Sequence, residues 1–147
     1  MNRKEFVKSC GLSCLGFLVV PGMLTGCAGT KYINALIEGS DLIVPLSEFE
    51  IVKENTPAQY RKYVVVQHDN LQFPICVYRI TSDTYHALWM KCTHQGTELH
   101  VFGDKLQCPA HGSEFTNAGA VQNGPAAEPL RTFPTAIANT MLKIDLR

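Results

Sequence analysis

The stretch "CTHQGTELHVFGDKLQCPAHGS", residues 92–113, constrains this chain more than any other feature. It holds Cys-x-His, then thirteen intervening residues, then Cys-x-x-His. Cys92, His94, Cys108 and His111 therefore come from two short segments, each offering one thiol and one imidazole. Thiolate and neutral imidazole are soft-to-borderline ligands, suited to zinc, copper or iron–sulfur centres and not to magnesium or calcium. Four such ligands on two short loops can close a single site. Between them, "HVFGDKLQC" holds a Gly-Asp pair flanked by extended arms, which predicts a hairpin turn at Gly103 and Asp104.

The order of the ligands discriminates among these centres. Structural zinc sites usually pair two cysteines in one segment and two histidines in the other. Here each loop gives one of each, so Cys92 and Cys108 face each other across the site, as do His94 and His111. A two-iron cluster with both cysteines on one iron and both histidines on the other requires that crossed arrangement.

The segments "CTHQG" (92–96) and "CPAHGS" (108–113) resemble the two cluster boxes of the Rieske family. "GPA" (124–126) is similar to the proline-containing loop that covers the cluster in the cytochrome bc-type members. The resemblance implies a Rieske 2Fe–2S cluster held by Cys92, His94, Cys108 and His111, with Gly96, Gly112, Ser113 and Pro125 around it. It also implies a fold: an all-β, Rieske-type antiparallel β-sandwich with a small cluster-binding subdomain at residues 90–128. Gly96 and Gly112 follow the histidines where tight loops must turn, and a side chain there would crowd the cluster or force an unfavourable φ. Neutral imidazoles in place of two thiolates raise the potential to about −150 to +300 mV, against about −400 mV for plant-type ferredoxins.

Departures from the family pattern refine the expectation. The bc-type members carry a disulfide between the two loops, whose cysteines would fall at Thr97 and Ala110, so that bridge is absent here. Their serine donor to a cluster sulfur is matched by Ser113, but the tyrosine donor is replaced by Phe115, which cannot donate. A middle-range potential follows. Deprotonation of His94 or His111, linked to oxidation, is expected to make the midpoint fall as pH rises in the alkaline range.

The rest of the mature chain reads as strands. Runs rich in β-branched and aromatic residues recur at 41–49, 63–68, 74–80 and 84–92, each bounded by turn formers. "MLKIDL" alternates Leu142, Ile144 and Leu146 on one face after a turn near Asn139 and Thr140. The segment 116–129, rich in Gly, Ala, Pro and Asn, reads as a long ordered loop beside the cluster. Cys76, in the apolar run "PICVYRI", is expected to be a buried free thiol. His68, His86 and His100 share no ligand spacing and are expected at surface or hydrogen-bonded positions; Trp89 is expected in the core.

The first segment follows different rules. A basic start with Arg3, Lys4 and Lys8, an apolar run at 12–20 and small residues before Cys27 form the pattern of an export signal. The apolar run is shorter than the roughly 20 residues that span a bilayer. "LTGC" (24–27) resembles the lipobox of bacterial lipoproteins, in which the cysteine is acylated and becomes the first residue. That resemblance implies lipidation of Cys27, loss of Cys10 and Cys14 with residues 1–26, and a tether at 27–40 before a domain at 41–147. "NRKEFVK" is similar to a twin-arginine signal with Lys4 in place of the second arginine, and the Sec route stays open beside it.

Composition excludes several function classes. With 13 basic and 13 acidic residues in 147, the net charge is zero and no basic stripe suggests nucleic acid. No Ser/His/Asp set, phosphate loop or pair of acid/base carboxylates is present. The reading is an exported, lipid-anchored one-electron carrier facing the periplasm, on either membrane, whose redox partner docks at the edge formed by His94 and His111. That partner would be a cytochrome or an oxidoreductase subunit. Two alternatives stand beside it: the small electron-transfer subunit of a periplasmic oxidoreductase, similar to that of arsenite oxidase, and a structural zinc-binding lipoprotein.

Overall fold

The computed structural model describes residues 29–147. The expected export signal, Cys10, Cys14 and the expected lipidation site Cys27 lie outside the described residues. Along the chain run β1 (Tyr32–Asn34), β2 (Leu36–Glu38), β3 (Asp41–Pro45), a 3-10 turn (Leu46–Phe49), β4 (Glu50–Ile51) and β5 (Gln59–Tyr60). There follow β6 (Tyr63–Gln67), β7 (Ile75–Arg79), β8 (Tyr85–Trp89), β9 (His100–Phe102) and β10 (Lys105–Gln107). The chain closes with β11 (Glu114–Thr116), β12 (Val121–Asn123), β13 (Thr132–Phe133), β14 (Thr135–Ala138) and β15 (Met141–Asp145).

Three main sheets result, in the orders β1-β6-β7-β8-β13, β14-β15-β3-β2 and β12-β11-β10-β9, with β4 and β5 forming a short separate ribbon. All pairings are antiparallel except β1 with β6, which runs parallel, and the expected β-sandwich is the fold observed.

Strand alternation explains why the five-stranded sheet is so apolar. Successive side chains of a strand point to opposite faces, and here both faces are covered. Val64 and Val66 of β6, with Ile75 and Val77 of β7, pack with Leu42, Val44, Leu142 and Ile144 of the second sheet. Val65, Cys76 and Tyr78 point the other way and pack with Leu99 and with Leu106 and Phe115 of the third. A strand buried on both faces reads as a continuous apolar run, as "YVVV" and "ICVY" do. Each fully buried Leu, Ile, Val or Phe contributes about 1.5–3 kcal/mol by leaving water.

The sequence expectations differ from the fold in three places. The run at 41–49 is not one strand. β3 stops at Pro45, and the next four residues turn so that Phe49 enters the first core, where it is fully buried. Residues 116–129 are only partly loop, because Thr116 Oγ1 accepts the amides of Ala118 and Ala120 at 3.3 and 3.2 Å, and the chain returns as β12 beside β11. Residues 32–38, read as tether, are strands: Ile33, Ala35 and Ile37 face the first core while Tyr32, Asn34, Leu36 and Glu38 face out. The Gly103–Asp104 hairpin forms as expected, with Phe102 opposite Lys105.

Candidate metal centre

Both ligand segments fold by one scheme. The first is flanked by a bridge between Lys91 and Glu98; the Cys92 amide donates to the Thr97 carbonyl at 2.8 Å, and the Gly96 amide to the Cys92 carbonyl at 2.8 Å. The second is flanked by the Gln107–Glu114 pair of the β10–β11 hairpin; the Cys108 amide donates to the Ser113 carbonyl at 2.8 Å, and the Gly112 amide to the Cys108 carbonyl at 3.0 Å. Each loop thus turns back on its own cysteine through the glycine four residues on. Gly96 and Gly112 have φ of +73° and +79°, a region where an L side chain costs about 1–2 kcal/mol. A Cβ on Gly112 would meet nothing within 4 Å. Among the protein's own atoms, backbone conformation is what requires glycine there.

The loops sort their ligands by depth. Cys92 and Cys108 are 1% and 2% exposed, at the end of the second core. His94 and His111 are exposed, their rings 5.0 Å apart and at 89° to each other. Burial pushes the Cys108 thiol up, but the backbone amides of His111 and Ala110 and the side chains of Cys92 and Thr97 outweigh it and leave the group below the ordinary thiol range. Amides converging on sulfur are what a buried thiolate ligand needs. Cys92, Cys108 and Cys76 are all unbridged.

A third segment closes the centre from the side. Thr93 Oγ1 donates to the Glu128 carbonyl at 2.7 Å, and Ser113 Oγ accepts the Ala126 amide at 3.0 Å. Ser113 is fully buried. With its oxygen serving as acceptor, its own proton is free for a sulfur. Pro125 is exposed, and its neighbour Ala126 makes the buried contact. Phe115 is fully buried in the same core as the two ligand cysteines. Beside the first loop a groove of about 680 Å³ opens between Trp89, Lys91, His94 and Arg131.

Thr97 is the residue that sequence reasoning undervalued. It entered only as a position lacking a cysteine, yet its side chain serves Cys108 from the opposite loop. A polar residue just after the glycine of the first box was the available signal. The other candidates fall outside the centre. Cys76 is buried in β7, where desolvation raises its thiol far above the usual range. His68 Nδ1 accepts the Asn70 amide at 3.0 Å, His86 Nδ1 lies 3.0 Å from the Asn117 carbonyl, and His100 is exposed. Trp89 is half-buried against the first core, with Lys91 and Arg131 over its ring at 5.1 and 5.7 Å.

These residues suit a two-metal cluster. A cluster with two ligands on each iron needs two separate pairs, and the buried thiols and exposed imidazoles could supply them.

Comparison with known proteins agrees with the geometry. The family model for the Rieske [2Fe-2S] domain matches residues 48–134. The chain is 25% identical over 118 residues to the cytochrome b6-f complex iron-sulfur subunit of Chlorobaculum tepidum, covering 79% of this chain and 56% of that one. It is 31% identical over 121 residues to the chloroplastic cytochrome b6-f complex iron-sulfur subunit 1 of Nicotiana tabacum, covering 75% and 46%. The chain therefore spans about half the length of the curated relatives it matches. The plasma membrane Rieske protein PetC3 of Synechocystis PCC 6803 superposes with a TM-score of 0.50 at 26% identity, over 57% of this chain and 86% of that one. Sheets, paired loops and family match together define a two-loop Cys/His iron–sulfur domain. The chain belongs to the Rieske [2Fe-2S] domain family, whose members bind a Rieske-type 2Fe–2S cluster.

Proposed function

We propose that Cys92 and Cys108 hold one iron of a Rieske 2Fe–2S cluster and His94 and His111 the other, and that the chain is an exported, lipid-anchored one-electron carrier. The observation that carries this reading is the depth sorting of the ligands, with thiols in the core and imidazoles at the surface. A bound cluster of this type takes up and returns a single electron. The chain's own groups do the rest. The backbone at Ala110 and His111 and the side chain of Thr97 help to hold the Cys108 thiol below its ordinary range, favouring negative charge there. The buried side of the centre excludes water. The exposed His94 and His111 edge is where a redox protein, a cytochrome or an oxidoreductase subunit, would come within transfer distance.

Lipidation at Cys27 and export rest on the "LTGC" and signal pattern of residues 1–27. Among the described residues no helix is long and apolar enough to cross a membrane. A second reading, a subunit of a larger redox complex, is favoured by both curated relatives being complex subunits. Purifying the full chain from host membranes in mild detergent separates the two. A carrier migrates alone and reduces an added c-type cytochrome. A subunit co-purifies with a larger chain in fixed ratio and loses its activity when that chain is removed.

A further inference from the structure

Away from the metal loops, the domain exposes apolar side chains that neither core uses. Besides Tyr32, Leu36, Ile137 and Met141, which lie on other strands, Val52, Tyr60, Ile80 and Phe102 are 89%, 45%, 42% and 67% exposed. Strand register gathers them at one end. β10 runs from the Gly103–Asp104 turn to the second metal loop, so Phe102 lies at the far end of its hairpin from Cys108. In β7 and β8, Ile75 pairs with Trp89 and Arg79 with Tyr85, so Ile80 lies at the end away from Cys92. The Arg79 guanidinium stacks 4.2 Å from the Tyr60 ring centre. A largely apolar hollow of about 270 Å³ links Ile51, Tyr60, Arg61 and Gly103, which joins the neighbours Val52 and Phe102 into the same surface.

The chain itself says what covers this face. Gly29, the first described residue, lines the same hollow. The Lys31 carbonyl accepts the Val65 amide at 2.9 Å, so the chain is tied to the domain from that point on. Cys27 is four residues earlier, a reach of at most about 14 Å fully extended. An acyl group on Cys27 could not hold the domain to a bilayer by any distant face. Lys53, Arg61, Lys62 and Arg79 surround the patch and form no ion pair among the described residues. Glu50, Glu54 and Asp104 are interspersed with them, so the attraction is chiefly apolar. Aromatic rings flanked by long cationic side chains suit the headgroup level of a bilayer, where rings sit at the interface and cations extend to phosphate.

We propose that this face rests on the phospholipid surface, with Val52, Tyr60, Ile80 and Phe102 entering the interface and the metal loops pointing away from it. The inference rests on the lipid-anchor reading for its geometry and predicts contact that the anchor alone does not require. A redox partner would then meet His94 and His111 on the side of the domain that faces the aqueous compartment.

The test uses the full chain purified from host membranes and placed in vesicles of phosphatidylcholine and phosphatidylglycerol with brominated acyl chains. The native chain has one tryptophan, Trp89, at the cluster end; Phe102→Trp adds a second at the base, on an exposed site that leaves both cores intact. The cluster's visible spectrum checks that the variant is folded. Bromolipid is expected to remove most of the added emission and to leave Trp89 in the parent unchanged. No quenching of the added tryptophan, or equal quenching of both, overturns the docking. Mass spectrometry of Cys27 reports on the anchor separately. An acylated but unquenched protein keeps the anchor and loses the docking, whereas an unacylated protein still quenched by vesicles keeps the docking and loses the anchor.

Discussion

Ser113→Ala tests the design of the centre, because one hydroxyl there has two jobs. Its oxygen accepts the Ala126 amide at 3.0 Å in a site with no solvent exposure. Removing the acceptor leaves a buried N–H unpaired, which costs about 1–3 kcal/mol of stability. Its proton is free to donate to a cluster sulfur. A hydrogen bond to a charged group contributes about 1.5–3 kcal/mol, and it tightens as the sulfurs gain charge on reduction. If about 1 kcal/mol of that bond depends on redox state, the midpoint falls by about 40 mV, since a tenfold change in a one-electron equilibrium is about 59 mV. The assays are a redox titration followed by visible circular dichroism and denaturant unfolding followed in the far ultraviolet. A loss of stability with an unchanged midpoint would show that the proton points away from the sulfurs. A fall in midpoint with unchanged stability would show that the Ala126 contact is not needed to hold the third segment.

Further outcomes follow from the same structure. Thr97→Val, which keeps the shape and removes the hydroxyl, should lower the midpoint by less than Ser113→Ala with the fold retained, as a paired titration will show; a raised midpoint would contradict the role assigned to Thr97. Gly112→Ala should cost about 1–2 kcal/mol from its positive φ alone, and a neutral denaturant midpoint would mean that the loop readjusts. Cys76 should resist iodoacetamide at neutral pH in the native chain, because burial holds its proton far above the usual thiol range. The folded thiol keeps its proton where the unfolded one ionises. The associated stability is therefore complete below about pH 8.5 and declines as pH rises above it. Cys76→Ala should flatten that decline in denaturant midpoint against pH, and an unchanged slope would assign it to other groups.

The centre was the most legible part of the sequence, because ligand order and loop glycines are local properties. Four ligands, two glycines and a hairpin turn at Gly103 lie within residues 92–113, and neighbours in sequence there are neighbours in space. Strand alternation in "YVVVQ" and "ICVYR" was visible as apolar runs, but their division between two cores depends on which sheets cover each face. "YINALIE" alternates as a strand does, and the proximity of the expected export signal hid it. The turn after Pro45 was not legible, since "LSEF" has the composition of a strand and only the burial of Phe49 bends it away. The same holds for Thr97 and Ala126, whose roles arise from contacts across loops that sequence spacing does not encode.

The most direct test of the central claim is electron paramagnetic resonance of the dithionite-reduced full chain, with iron and zinc quantified on the same sample. Two irons per chain are expected, as the [2Fe-2S] domain requires, with an average g-value below that of all-cysteine clusters. A resonance-silent, colourless protein carrying zinc in place of iron would contradict it and make Cys92, His94, Cys108 and His111 a structural metal site.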